Sequence, residues 1–118
     1  SFPCLISVFS RRFSYAVAFH GLERVAGDGL VLIGGMASPE LKDKFRAAIT
    51  TKVGGSNICV QVAGRDDHFN GDDPCNIVNR LTIGGKNGVQ IEQSESARGE
   101  PYGDKIAEAD ADVYRQLL

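Results

Sequence analysis

A single α/β domain over residues 1–118, with a mostly parallel or mixed sheet and flanking helices, is expected from three features. Short apolar runs bounded by glycines recur at 15–19, 30–33 and 58–63, which is the length and texture of buried strands. A well-capped helical pattern lies between the second and third runs, so residues 30–63 read as strand–helix–strand, the unit that joins parallel strands. The chain then ends on a helical stripe formed by Ile106, Ala109, Val113 and Leu117. A chain of this length can bury one core but not two.

Residues 1–13 are apolar with two arginines and carry no clear period. Tyr15–Phe19 reads as a strand ending at His20-Gly21, and a loop through Gly27-Asp28-Gly29 leads to a second strand, Leu30–Ile33, stopped by Gly34-Gly35. The helix that follows has its signals in order. Ser38 can cap the free amides, Pro39 suits the first helical position, and Glu40 favours the positive end of the dipole. Leu41, Phe45, Ala48 and Ile49 follow at helical spacing, and Gly54-Gly55 ends the run. Ile58–Ala63 is the third strand. Residues 64–75 read as an acidic loop, Val89–Gln93 as an alternating strand, and Ser94–Tyr102 as a polar connection before a helix starting at Asp104.

The formal charge is −2, and 42% of residues are hydrophobic against 24% charged, the balance of an ordinary soluble protein. No basic stripe with interleaved aromatics is present, so nucleic-acid binding has little electrostatic support. The longest apolar stretch, Leu30–Ala37, is too short to span a bilayer and contains two glycines. Cys4, Cys59 and Cys75 cannot all pair within the chain, and none stands in a C-x-x-C or C-x-x-H arrangement. The chain opens on Ser1 without a signal-peptide pattern, as a processed product or the back part of a longer protein would.

Several groups could carry chemistry, each beside a plainer explanation. His20 sits at the carboxyl end of a strand, where α/β sheets gather functional groups, but a lone histidine is more often simply satisfied where it lies. Gly34-Gly35 before a helix resembles a phosphate cradle, yet it lacks both glycine fingerprints, and a tight turn explains it equally well. The run 66–73 fits a calcium loop at Asp66, Asn70 and Gly71 and fails at His68 and Ile77, so a solvated acidic turn is the better account. Asn79-Arg80 offers an amide beside a planar guanidinium fork suited to a carboxylate; the plainer alternative pairs Arg80 with Asp72 or Asp73. In the strand after it, Val89, Ile91 and Gln93 share one face and Gln90, Glu92 and Ser94 the other. With the first face on the core, Glu92 is held out on a rigid strand as a general base; the plainer reading is an edge strand with one wet side.

Taken together, Ala18-Phe19-His20-Gly21, Val31–Gly35, Asp73–Arg80, Gly88-Val89-Gln90-Ile91-Glu92 and Ala97-Arg98 resemble the phage poly-γ-glutamate hydrolase (phage replication-like) family, over roughly residues 15–98. The Asn-Ile-x-Asn-Arg block followed by Gly-Val-Gln-Ile-Glu is its most specific part. The resemblance implies a carboxypeptidase-like three-layer fold and a zinc-dependent hydrolase acting on the γ-glutamyl amides of poly-γ-glutamate. By that likeness His20 is the last of three Zn2+ ligands and Glu92 the base for a metal-activated water. Asn79 and Arg80 hold a glutamyl carboxylate, with Arg98 adding to the grip on the polyanion. The family's other two zinc ligands lie upstream, in a His-Gly-Gly…Glu segment. The residues before His20 include no His, Asp or Glu, so the chain resembles the C-terminal portion of such an enzyme. The alternative is a non-catalytic, shortened relative that binds an acidic peptide or polymer through Asn79-Arg80; a purely structural partner chain is a third. Neither a phage-encoded nor a secreted origin is singled out.

Overall fold

The computed structural model describes residues 13–22, 29–64, 71 and 77–118. The elements in order are β1 (Ala16–Leu22), β2 (Leu30–Gly34), α1 (Pro39–Lys52), β3 (Cys59–Val62), α2 (Ile77–Arg80), β4 (Gly88–Ser94), α3 (Glu95–Arg98) and α4 (Tyr102–Leu117). The four strands form one sheet in the order β1-β4-β2-β3. β1 runs parallel to β4 and β2 parallel to β3, while β2 and β4 are antiparallel. The sheet is therefore mixed, and the strand–helix–strand unit does join adjacent parallel strands.

Side chains alternate along each strand, so the sheet has two chemically different faces. On one, Val31, Ile33, Val89 and Ile91 pack with Leu41, Phe45 and Ile49 of α1 and Ile106, Ala109 and Val113 of α4. On the other lie Gly88, Gln90, Glu92 and Ser94, with α2 against them: a side chain at Gly88 would begin 2.4 Å from Asn79 Oδ1. Helices thus flank the sheet on both sides.

α1 starts as its sequence predicts, with the Leu41 amide donating to Ser38 Oγ at 3.1 Å and Pro39 in the first turn. The turn before it depends on glycine. Gly35 has φ 103°, and a Cβ there would fall 2.2 Å from Gly88 O. The glycines thus close β2 onto β4. The amides that a phosphate cradle would need are already taken, Met36 N by Asn79 Oδ1 and Ala37 N by Gly88 O.

Three expectations need correction. β4 is no edge strand with one wet side: it is central, and all seven of its residues are buried, because β1 and β2 flank it and helices cover both faces. β1 does not end at His20, since its ladder with β4 continues to Leu22 opposite Ser94. The connection from Ser94 to Tyr102 contains a helical turn, α3, and α4 begins at Tyr102, ahead of Asp104. Residues 1–12, the Gly27-Asp28 part of the loop after β1, most of the acidic loop with His68, and Cys4 and Cys75 lie outside the described residues. Cys59 is exposed, with a free thiol.

Candidate active site

The parallel ladder sets the site's geometry. His20 on β1 stands directly opposite Glu92 on β4, and Leu32 of β2 faces Glu92 from the other side. Paired residues point to the same face, so the histidine and the carboxylate meet without any loop having to bring them together. His20 Nδ1 lies 4.0 Å from Glu92 Oε1. The two differ in access: the imidazole is 44% exposed and the carboxylate only 6%.

Glu92 is not held out on its strand, as expected with the other face on the core, but sunk into the sheet with its tip toward His20. Burial pushes its carboxyl above the ordinary glutamate value, and the attraction of His20 draws it part of the way back. Two residues earlier on the same face, Gln90 Nε2 donates to Glu92 Oε1 at 2.8 Å, and both side chains are buried. Alternation along β4 places Gln90 beside Glu92 from sequence alone, but nothing in the sequence signals that its amide turns toward the carboxylate.

The Asn79-Arg80 pair stands on α2, over the same face. Asn79 is fully buried, and its amide is bonded on both sides, accepting from Met36 N at 2.9 Å and donating to Gly71 O at 2.8 Å. It ties the β2–α1 turn, Gly71 and α2 into one piece. Arg80, the next residue, is half-buried at the end of the helix. Arg98 is placed differently. Its Nη1 lies 2.7 Å from where a Gly21 side chain would begin, and alternation puts that position on the face of β1 away from His20.

A catalytic zinc takes three protein ligands. Among the described residues, no group of three or more His, Cys, Asp and Glu converges; His20 and Glu92 are a pair. These residues by themselves do not fit the ion. What they can do unaided is hold and move a proton at a buried carboxyl beside an accessible imidazole. Among the described residues no helix is long and apolar enough to cross a membrane.

Residues 3–113 match the sequence model of a family described as poly-gamma-glutamate hydrolase. No curated protein and no solved structure matches the chain.

Proposed function

The chain belongs to the poly-γ-glutamate hydrolase family, and from that premise we propose that it cleaves the γ-glutamyl amide bonds of poly-γ-glutamate, with Glu92 as the group that moves the proton. The observation that carries this reading is the buried Glu92 carboxyl paired across the ladder with His20. Amide hydrolysis needs a proton taken from the attacking water and one given to the departing nitrogen. A carboxyl whose proton affinity burial has raised performs both transfers nearer to neutral pH than an exposed glutamate can. His20 stands at the open side of the pair, where it meets the substrate first.

In this reading Arg80 grips a glutamyl carboxylate through its planar fork. Asn79, buried and doubly bonded, supports that grip from behind by fixing α2. Arg98 lies on the other face at the carboxyl end of β1, so its role is to meet a carboxylate further along the polymer. Zinc dependence is a separate part of the proposal, with His20 as one ligand and the others outside the described residues.

Glu92→Gln is expected to lower kcat on poly-γ-glutamate by about 10²–10⁴-fold, the usual contribution of a general base. Undiminished hydrolysis in that variant would remove Glu92 from the reaction. Elemental analysis tests the metal: near one zinc per chain, lost in His20→Ala, is the expected result, and no zinc in either protein would sink the metal part alone. Polymer binding without hydrolysis, abolished by Arg80→Ala, would move the chain to the non-catalytic alternative.

A further inference from the structure

We propose that Gln90 is a positioning residue for Glu92: its side-chain amide holds one carboxylate oxygen so that the other is presented to the substrate. The inference rests on the reading of Glu92 given above. The two carboxylate oxygens have different surroundings. Oε1 accepts from Gln90 Nε2 at 2.8 Å and is the oxygen 4.0 Å from His20 Nδ1. Among the described residues, Oε2 has no such partner. A carboxylate free to rotate would exchange these roles. One anchored through Oε1 keeps Oε2 as the oxygen that takes the proton, and this kind of orientation is worth rate, because small misplacements of a catalytic group are costly.

Gln90 can perform this task because it is itself held. Its neighbours across the ladders are Ala18 on β1 and Gly34 on β2, both small enough for its side chain to lie along β4 toward Glu92. From above, the Gly71 backbone closes on it: with φ 66°, a Cβ at Gly71 would fall 3.0 Å from Gln90 Cδ and 3.1 Å from Gln90 Cβ. Gly71 is fixed in turn by Asn79 Nδ2, which donates to its carbonyl. The line from α2 to the carboxylate is thus continuous, from Asn79 through Gly71 and Gln90 to Glu92. It gives the Asn79 amide a part in the chemistry without contact to substrate.

Two variants of the full chain test the idea. Gln90→Met keeps length and loses the donor, and Gln90→Leu loses it with a shorter apolar side chain, so failure of one to fold leaves the other. The expected result on poly-γ-glutamate is a fall in kcat of about 10–100-fold, with KM changed less than about twofold because ground-state binding is untouched. A purely structural glutamine would lower the melting temperature without that split. A second readout needs no turnover. In the wild type, the Gln90 side-chain amide proton bonded to Glu92 gives a displaced, slowly exchanging NMR resonance, and Glu92→Ala returns it to the position of a free amide. Unchanged kcat in a folded Gln90 variant overturns the proposal, as does an amide resonance that ignores Glu92→Ala. A wild type that hydrolyses nothing refutes the functional reading instead, and the amide resonance alone then decides whether Gln90 holds Glu92.

Discussion

Asp110 illustrates how much one side chain can set against its own fold. It lies on α4 among Ile106, Ala109 and Val113, is 2% exposed, and neither carboxyl oxygen has a hydrogen-bond partner among the described residues. Burial pushes its carboxyl up to about 7. One turn later the buried Tyr114 hydroxyl is also without a hydrogen-bond partner among the described residues, and burial, the Asp110 charge and Tyr15 all push its proton affinity up. The sign follows from linkage: the folded state holds the Asp110 proton more tightly than the unfolded chain does. Stability contributed by this group is complete below the ordinary value of 3.8, falls as pH rises toward about 7, and is level beyond that. The full fall is about 4 kcal/mol at one pKa unit per 1.36 kcal/mol. Asp110→Asn removes that slope, so urea midpoints of variant and wild type diverge with rising pH, the variant being the more stable at pH 8. Parallel curves across pH 4–8 would mean that Asp110 does not titrate in this window. Its spacing, four residues after Ile106, puts it on the inward side of the helix; that its carboxyl finds no hydrogen-bond partner among the described residues could not be read there.

Among the elements, α2 is the one whose role changes most once the chain is folded. It is a single helical turn, too short to persist alone. Its position comes from Asn79, whose amide bridges the Met36 amide and the Gly71 carbonyl beneath a fully buried side chain. Asn79→Ala leaves both of those backbone groups without this partner and is expected to cost about 2–4 kcal/mol, seen as a lower urea midpoint. On the proposed reading, Arg80→Ala loses a charged hydrogen-bonding grip worth about 1.5–3 kcal/mol and is expected to raise KM on the polymer by about 10–100-fold. If both variants altered only stability, α2 would be a structural clasp and the carboxylate grip would lie elsewhere. The Asn-Arg dipeptide marks the segment in the sequence. That Asn79 is buried and Arg80 only half-buried follows from the folded structure alone.

For the molecule as a whole, stability is concentrated where α1 and α4 meet the sheet. Phe45 is fully buried, and Tyr114 meets it edge-on at 5.1 Å, itself 5.9 Å from Tyr15. Phe45→Ala opens a cavity at this junction and is expected to cost about 3–5 kcal/mol, a large part of the stability of a domain this size; a loss under 1 kcal/mol would place the core elsewhere. The α1 cap and stripe, the parallel β2–β3 unit and the apolar stripe of α4 were all legible in the sequence. The cap and the two stripes are local matters of period, capping group or turn residue, decided within a dozen or so neighbours, and the β2–β3 pairing follows from one helix standing between two apolar runs. That β4 enters between β1 and β2, parallel to one and antiparallel to the other, emerges only on folding. Strand order depends on contacts between residues far apart in the chain, and no local pattern encodes it. That insertion buries Glu92, sets it opposite His20, and turns Gln90 into its neighbour. Residue type and spacing single out His20, Asn79, Arg80 and Glu92 in the sequence; the order of strands sets Glu92 beside His20 and Gln90.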